Sequence, residues 1–320
     1  MARSTLPETA VSGVPRRDRV RPFPNRSTAV NLLLSLRPSQ WTKNLLVFAA
    51  LIFAVKLFDA RALRLSAVAF VIFCGLSGVV YLLNDVMDRE HDRRHPLKNR
   101  RPIASGELSV PVALGAAALL SAATLAGAFA LGWQFGLIAA AYLGLQSLYS
   151  GVLKHIVIID VLTLAIGFVL RAIAGAVAIQ VSISHWLFVC TILLALFIAL
   201  AKRRHEMILL AEGATTHRPI LGEYSAYLLD QMIAVVTAST LVAYIFYTIS
   251  PETEQKFGTE WLGLTIPFPL YGIFRYLYLV HRREGGGSPA DLLLNDRPLL
   301  ACVTLWVVAV VLIIYHPFVP

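Results

Sequence analysis

The sequence predicts an all-α membrane protein, a polytopic bundle of about nine transmembrane helices. Three observations support this fold class. The chain is 57% hydrophobic and only 15% charged, whereas soluble proteins carry about 25% charged residues. Apolar runs of about 18 to 22 residues, the length that crosses a bilayer, recur along the chain. The Lys and Arg residues are also unevenly distributed among the segments that separate these runs.

Nine apolar runs are predicted to span the membrane. Their approximate centres are Phe48, Ile72, Leu120, Ala141, Phe168, Leu193, Val242, Tyr271 and Val308. With a cytoplasmic N-terminus, the inner segments hold 23 of the 28 Lys and Arg residues. The positive-inside rule therefore predicts that the N-terminus is inside and the C-terminus outside. The net charge of +9 then belongs mostly to the inner membrane face, where it favours anionic lipid and phosphorylated substrates over nucleic acid.

Two segments precede the first predicted span. Residues 1–26 are rich in Pro, Arg, Ser and Thr without apolar periodicity, which predicts a mobile cytoplasmic tail. The second segment is a short interfacial lead-in to the first span. It begins the single nine-helix domain that is predicted for residues 27–320. Trp41 and Lys43 follow at the cytoplasmic boundary, where Trp41 is typical of an interface anchor. Lys43 is either a phosphate ligand or a side chain that reaches out to the headgroups.

The densest group of acids directly follows the second apolar run, within residues 84–92. On a helix with about 100° per residue, Asp85, Asp88 and Asp92 fall at roughly 0°, 300° and 340°, so their carboxylates share one face. Carboxylates so close together repel one another, and Mg²⁺ relieves this repulsion while it also binds phosphate oxygens. The pattern predicts a metal and phosphate site with Asn84 beside it. The alternative is a solvated charge run in which the neighbouring arginines pair with the acids.

Basic residues stay close to these acids in the next segment, residues 97–106. Lys98 and Arg101 follow the carboxylates in sequence, and Pro102 and Gly106 end any continuing helix. A loop that holds both metal-binding acids and phosphate-binding bases suits a phosphorylated substrate. Lys98 and Arg101 are therefore predicted to bind phosphate.

The fifth apolar run contains two charged residues, Asp160 and Arg171. They are 11 residues apart, about 20° on a helical wheel, so both face the same side of the helix. Charged groups inside a span usually face an interior cavity or each other, which leaves a structural ion pair and a substrate contact open for Arg171. The preceding turn, residues 149–155, adds Tyr149 and Lys154. Asp160 and Lys154 lie near the cytoplasmic edge, where a functional role is favoured.

A second basic segment follows the sixth run. It carries four basic side chains and then an acid: Lys202, Arg203, Arg204, His205 and Glu206. The four basic residues form a local anion site, and Glu206 either balances their charge or holds a second metal ion. Ordinary positive-inside anchoring explains each of these basic residues equally well when it is taken singly.

The motifs and the predicted topology together resemble the UbiA superfamily of membrane prenyltransferases. The resemblance rests first on residues 84–106, NDVMDREHDRRHPLKNRRPIASG, at the end of the second run. It extends from residue 35 to the ninth run. Residues 37–44, RPSQWTKN, and residues 149–155, YSGVLKH, look most like the branch that transfers phosphoribose to a polyprenyl phosphate. Motifs of this length are far more specific than a single pair of aspartates.

The resemblance implies a bacterial plasma-membrane enzyme with Mg²⁺ as cofactor and its active site at the cytoplasmic side. In superfamily members, a second aspartate-rich motif after the sixth span holds another Mg²⁺ on a prenyl diphosphate. Here residues 202–206 supply mostly basic side chains instead, which fits a donor with more phosphate groups. The implied reaction transfers 5-phosphoribose from 5-phosphoribosyl 1-diphosphate to a polyprenyl phosphate and releases diphosphate. Such a product would serve as a precursor of cell-envelope glycolipids.

The resemblance also implies a role for each matching residue. The implied metal ligands are Asn84, Asp85, Asp88 and Asp92. The residues implied in catalysis are Asp85, Asp88, Asp92, Lys154 and Asp160. The implied substrate ligands are Lys43, Asn84, Lys98, Arg101, Tyr149, Lys154, Lys202, Arg203, Arg204 and His205. The implied partners are the two substrates and membrane lipids, without nucleic acid, and a homo-oligomer is left open.

Two other functions stay open at this point. Prenyl transfer from a prenyl diphosphate to an aromatic or lipid acceptor shares the fold and the first motif, but it should show a second acidic cluster after the sixth run. A transporter is suggested by Asp160 and Arg171 within the bundle. Many transporters contain inverted repeats, and the sequence shows no convincing internal repeat.

Overall fold

The structure, a computed structural model, describes residues 26–94, 98–182, 185–209, 219–282, 292, 293 and 295–316. No β-strand occurs among these residues, so the predicted all-α class is confirmed. Their α-helices, in chain order, are α1 Thr28–Ser35, α2 Ala49–Phe53, α3 Ala60–Met87, α4 Arg89–Arg94, α5 Pro102–Ser105, α6 Val110–Leu131, α7 Trp133–Gly151, α8 Ile159–Ala178, α9 His185–Leu209, α10 Ala226–Ile249, α11 Pro251–Phe257, α12 Pro267–Arg282 and α13 Arg297–Tyr315. The predicted tail, apart from Arg26, lies outside the described residues.

Five helices are long and apolar enough to cross a membrane: α3, α6, α8, α10 and α13. Each of the nine predicted span centres lies within a helical segment. The count of nine spans stays a prediction, because length and composition support a crossing for five of the helices described.

Helix α3 brings the acidic residues to one end of the bundle. Asp59 caps its N-terminus, where the carboxylate accepts hydrogen bonds from the backbone N–H groups of Arg61 and Ala62 at 2.9 and 3.1 Å. The helix has 28 residues and is therefore about 42 Å long. A bilayer with its headgroups is about 40–45 Å thick. Asp85, two residues before the end of the helix, therefore lies at the depth expected of a membrane surface.

The first predicted span is not one regular α-helix. A 3₁₀-helix, Pro38–Phe48, leads directly into α2. At about 2.0 Å of rise per 3₁₀ residue and 1.5 Å per α residue, the two together are about 30 Å long, close to the hydrocarbon thickness of a bilayer. The segment crosses α8 very closely, since a Cβ atom on Gly175 would lie 2.0 Å from the carbonyl oxygen of Val47. Only glycine fits at this crossing.

A buried polar group fixes the same crossing. Arg171, 6% exposed, donates through Nε to Asn44 Oδ1 at 2.7 Å and through Nη2 to the Tyr142 hydroxyl at 2.7 Å. Its Nη1 donates to the carbonyl oxygen of Gly167 at 2.8 Å. Arg171 therefore links α8 to α7 and to the 3₁₀-helix. The ion pair between Arg171 and Asp160 that the sequence left open does not form, because three helical turns, about 16 Å, separate them along α8, and Asp160 pairs with another arginine.

Candidate active site

Three carboxylates lie where α3 passes into α4. Helix α3 ends at Met87, Asp88 is its C-terminal cap, and the backbone N–H of Asp92 donates to the carbonyl oxygen of Asp88 at 2.8 Å. The chain thus continues in nearly helical form through this junction. We call Asp85, Asp88 and Asp92 the acidic cluster.

Two arginines from loops neutralise the buried members of the acidic cluster. Asp85 and Asp92 are only 2% and 3% exposed. Arg101 Nη1 donates to Asp85 Oδ1 at 3.1 Å and to Asp92 Oδ2 at 2.6 Å, so one nitrogen joins the two carboxylates. Arg37 donates to the same Asp85 oxygen. Bonds between ionised partners are among the strongest hydrogen bonds in proteins, and here they bring residues from three segments together.

The third carboxylate has a lysine partner. Lys154 Nζ lies 2.8 Å from Asp88 Oδ1, and both side chains keep some contact with solvent. Lys154 belongs to the short 3₁₀-helix Leu153–His155 in the turn between α7 and α8. Each acid of the cluster therefore has a cation, and each of these cations comes from a loop or turn.

Arg37 was placed by the sequence only at the membrane boundary, and its contact with the acids was missed. It has a φ of 52° in the left-handed region, which is uncommon for a residue with a side chain. This conformation ends α1 and turns the guanidinium toward Asp85, where it also lies over the Tyr81 ring at 4.7 Å. Backbone strain of this kind concentrates at functional sites.

The acidic cluster fits a hard divalent cation in its chemistry. Carboxylate oxygens are the ligands that Mg²⁺ prefers in proteins. Among the described residues, no group of three or more His, Cys, Asp or Glu side chains is already arranged around one metal position. The oxygens of Asp85, Asp88 and Asp92 instead face Arg and Lys nitrogens. Binding an ion there requires some of these cations to move, and their position on loops and turns permits it.

A second group of charged side chains surrounds Arg203 of α9, which is 1% exposed. Its three nitrogens reach three different side chains: Nε donates to Asp160 Oδ2 at 2.6 Å, Nη1 to Glu206 Oε2 at 2.7 Å, and Nη2 to the Tyr149 hydroxyl at 2.9 Å. Asp160 is fully buried. The sequence predicted these four residues near the site. A fifth residue, Tyr224, which the sequence did not predict, also binds Asp160. We call Arg203, Asp160, Glu206, Tyr149 and Tyr224 the Arg203 network.

The Tyr224 hydroxyl makes two hydrogen bonds of 2.8 Å. It donates to Asp160 Oδ1 and accepts from the backbone N–H of Ile158. Burial raises the pKa of Tyr224 to about 12, so the hydroxyl keeps its proton and remains a donor at neutral pH. Nothing in the local sequence identifies this tyrosine, because its partners lie 64 and 66 residues away.

The backbone at Ile158 is strained. Its φ and ψ are 68° and −44°, and the N–H of Ile159 donates to the carbonyl oxygen of Val157 at 2.8 Å. These values define a γ-turn of the rarer form, with positive φ at the central residue. A β-branched side chain at such a φ is a genuine outlier, and strain of this kind costs about 1–3 kcal/mol.

Three further lysines predicted from the sequence lie around these two groups. Lys202 Nζ is 3.8 Å from Glu206 Oε1, and the charge of Lys43 acts on Lys202. Lys98 is within electrostatic range of Asp88, Asp92 and Glu206. Although the Lys98 side chain keeps contact with solvent, partial desolvation and then the Arg101 cation lower its pKa. Lys98 therefore lies between the acidic cluster and the Arg203 network.

The other predicted ligands occupy less accessible positions or face elsewhere. His205 is buried on α9, and Asn84 is half-buried on α3. Arg204 uses Nε and Nη2 to bind both carboxylate oxygens of Asp230 on α10, and His281 of α12 lies 3.5 Å from Asp230 Oδ1. The structure thus places the Arg204 guanidinium at a contact among three helices, apart from the Arg203 network.

The UbiA prenyltransferase family matches residues 45–295 of this chain. A protein of Corynebacterium glutamicum named decaprenyl-phosphate phosphoribosyltransferase is 32% identical over 297 residues, which cover 91% of this chain and 89% of that protein. A protein of the same name from Mycolicibacterium smegmatis is 33% identical over 297 residues, with 89% of this chain and 92% of that protein covered.

A solved structure is also similar to this fold. The UbiA homolog from Archaeoglobus fulgidus bound to GPP and Mg²⁺ gives a TM-score of 0.67, with 90% of this chain and 99% of that chain covered. The two sequences are 20% identical. The similarity shows that the two chains share a helical fold.

Proposed function

The chain belongs to the UbiA prenyltransferase family, and from this premise we propose that it transfers 5-phosphoribose from 5-phosphoribosyl 1-diphosphate to a polyprenyl phosphate. The similarity to two phosphoribosyltransferases over about nine-tenths of the chain carries this proposal. The basic residues around the acidic cluster support it, since the two substrates together bring a diphosphate and two further phosphates to bind.

Mg²⁺ is the proposed cofactor, with Asp85, Asp88, Asp92 and Asn84 as the residues that would hold it. A bound Mg²⁺ supplies positive charge to the phosphate oxygens of the leaving diphosphate. The loops and turns that carry Arg37, Arg101 and Lys154 allow these cations to leave the carboxylates and turn toward phosphate. The side chains of Arg37, Arg101 and Lys154 would then bind the phosphate groups of the donor.

Arg101, Lys98 and Lys154 are the proposed ligands of the donor diphosphate. Their side chains already surround the acidic cluster, as Arg101 and Lys154 contact it and the carboxylate charges act on Lys98. Positive groups that turn from the cluster to the diphosphate stabilise the negative charge that builds up on the leaving group, and this electrostatic contribution is usually the largest in such reactions.

The proposed bond exchange occurs at carbon 1 of the ribose. A phosphate oxygen of the lipid attacks this carbon from the face opposite the diphosphate, and the bond from carbon 1 to the diphosphate oxygen breaks. The lipid phosphate is anionic at neutral pH, so no general base is required. Holding both substrates in this alignment supplies much of the rate enhancement.

Lys43 and Lys202 are the proposed ligands of the 5-phosphate or the lipid phosphate. The two lysine charges act on each other, which favours a bound anion between them. The Arg203 network ties α9, which carries Lys202, to α8 through Asp160 and to α7 through Tyr149, and we assign Asp160 to positioning within the site. His205 is buried on the same helix, one residue beyond Arg204.

The chain is a multi-pass membrane protein, and we propose that it lies in a bacterial plasma membrane with the site at the cytoplasmic face. The positive-inside distribution of Lys and Arg supports this orientation. A soluble phosphoribosyl donor would reach the acidic cluster from the cytoplasm, and a polyprenyl tail would remain in the bilayer.

The direct test uses the purified full-length chain in lipid or detergent. It is incubated with Mg²⁺, radiolabelled 5-phosphoribosyl 1-diphosphate and a panel of polyprenyl phosphates of different length. Label is expected to move into the lipid fraction in proportion to released diphosphate. In a parallel reaction, labelled geranyl diphosphate replaces the donor, together with an aromatic or lipid acceptor. Transfer in the second reaction alone would contradict phosphoribosyl transfer and assign the chain to prenyl transfer.

A further inference from the structure

We infer that Tyr224 is a positioning residue that holds Lys154 beside the acidic cluster by bracing the turn between α7 and α8. Tyr224 has no predicted role, and it lies outside the motifs on which the family resemblance rests. The inference depends on the proposed function only for the activity readout, because the bracing itself follows from the hydrogen bonds around Ile158.

The turn between α7 and α8 carries Lys154 on a short 3₁₀-helix and ends at Ile158. Its last residues form the γ-turn described above, in which Ile158 has a φ of 68°. Such a conformation persists only where surrounding contacts hold it. The Tyr224 hydroxyl provides that contact, because it accepts the Ile158 N–H at 2.8 Å.

The same hydroxyl also fixes the start of α8. It donates to Asp160 Oδ1 at 2.8 Å, two residues after Ile158. Asp160 is in turn bound by Arg203 Nε at 2.6 Å. One oxygen atom therefore joins a strained backbone amide to a buried carboxylate, which fixes both ends of the link between the turn and α8.

Tyr224 is itself well anchored. It is 5% exposed and belongs to a hydrophobic cluster with Val161 of α8 and Leu200 of α9. The residues just before it form the 3₁₀-helix Pro219–Glu223, which contacts the 3₁₀-helix that carries Lys154. The phenol ring therefore approaches the turn from a buried, closely packed position, as a positioning residue requires.

Lys154 depends on this arrangement for its reach to Asp88. Its ammonium lies 2.8 Å from Asp88 Oδ1, and the two residues are 66 positions apart. A turn that relaxes toward an unstrained backbone would move the lysine relative to α3. Small displacements of charged groups that bind a substrate reduce turnover strongly.

The test compares Tyr224→Phe with Tyr276→Phe in the purified full-length chain. Tyr276 is a matched control, because it is 6% exposed, packs in the same hydrophobic cluster, and its hydroxyl has no hydrogen-bond partner among the described residues. Tyr224→Phe is expected to lower kcat/KM for labelled 5-phosphoribosyl 1-diphosphate by about tenfold. Tyr276→Phe is expected to leave it within about twofold of the unmodified chain.

A double-mutant cycle tests whether the effect passes through Lys154. In a chain with Lys154→Met, adding Tyr224→Phe should change kcat/KM by less than about twofold, since the group that Tyr224 positions is absent. An undiminished tenfold effect in that background would overturn the inference. So would equal activities of Tyr224→Phe and the unmodified chain.

Hydrogen exchange measured by mass spectrometry tests the bracing without any assay of turnover. Tyr224→Phe leaves the Ile158 N–H without its acceptor, so peptides that cover residues 152–160 should exchange faster, whereas Tyr276→Phe should not affect them. Unchanged exchange in Tyr224→Phe would overturn the inference. If the unmodified chain transfers no phosphoribose, the proposed function fails, and this measurement still decides the role of Tyr224.

Discussion

The acidic cluster and the Arg203 network both join acids to bases at one end of the bundle, but they differ in where their cations come from. The three cations on the acidic cluster sit on loops and turns, and their side chains are 16–26% exposed. Arg203 sits on a long helix, and the Arg203 and Asp160 side chains are 1% and 0% exposed. The cations of the acidic cluster can therefore exchange with a metal ion or a substrate, whereas the pair of Arg203 and Asp160 is closed to solvent.

This difference separates binding from support. The pair between Lys154 and Asp88 is only partly buried, and pairs at a surface contribute about 0–1 kcal/mol to stability, so exchanging this lysine for a metal ion costs little. A buried pair that loses one partner leaves an unbalanced charge in an apolar interior. Asp88, which is partly exposed, should therefore affect activity more than stability, whereas the buried Asp85 and Asp92 should affect both. Members of the Arg203 network should affect both.

Removal of divalent cations is expected to have the largest effect, because it acts on the exchangeable group alone. Saturating EDTA should reduce turnover to background, and added Mg²⁺ should restore it. Thermal unfolding in detergent should change little, since Asp85, Asp88 and Asp92 keep their Arg and Lys partners. Full turnover in saturating EDTA would contradict the proposed metal role.

The next largest effect is expected from Asp88→Asn. Loss of this carboxylate should reduce turnover by about 100-fold or more, while the midpoint of thermal unfolding stays nearly constant. Glu90→Gln on α4 is the matched control, because Glu90 is exposed and pairs only with Arg93 among the contacts seen. Equal losses in both variants, measured by transfer of labelled phosphoribose, would remove the special role of the cluster.

Asp160→Ala should lower stability strongly, in contrast to Asp88→Asn, which should lower mainly activity. The substitution leaves Arg203 buried with one fewer anion, so the free energy of unfolding should fall by about 3–5 kcal/mol. Asp160→Asn should cost less, since the amide oxygen still accepts one of the two hydrogen bonds that Arg203 and Tyr224 donate to Asp160. Thermal unfolding of both variants in detergent measures the difference. An Asp160→Ala chain as stable as Asp88→Ala would abolish the distinction between the two groups.

Arg204→Gln should give the smallest effect of the series. Arg204 binds Asp230 on α10, so the substitution should lower the free energy of unfolding by about 1 kcal/mol. The KM of Arg204→Gln for phosphorylated substrates should stay within about twofold of the KM of the unmodified chain. Arg203→Gln should raise the KM by more than this. A raised KM for Arg204→Gln, in steady-state kinetics with both substrates, would return Arg204 to the set of phosphate ligands.

Much of the fold could be predicted because hydropathy acts locally. A run of about 20 apolar residues is long enough to cross a bilayer wherever it occurs, and all nine predicted centres lie in helical segments. The first span departed from expectation because the left-handed Arg37 and Pro38 start a 3₁₀-helix, and because Gly175 lets that helix approach α8. Neither effect follows from apolar content.

The candidate site was predictable in composition but not in pairing. The positions of the acids and bases are visible in the motifs, and a helical period places three carboxylates together. The partner of each charge is decided by loops that fold back over long separations, such as the 48 residues between Arg37 and Asp85. Arg171 and Asp160 share a face of α8 three turns apart, and their partners, Asn44 and Arg203, come from distant segments.

By itself, the sequence determined that this chain is an all-α membrane protein with acids and bases gathered where its apolar runs end. Burial of apolar residues and helical periodicity are properties of neighbouring residues, so they can be seen in the sequence. Only the tertiary structure decided that Arg101 joins Asp85 to Asp92, that Arg203 is enclosed, and that Tyr224 braces Ile158. These contacts depend on directed hydrogen bonds between distant segments, whose geometry is fixed only when the helices pack.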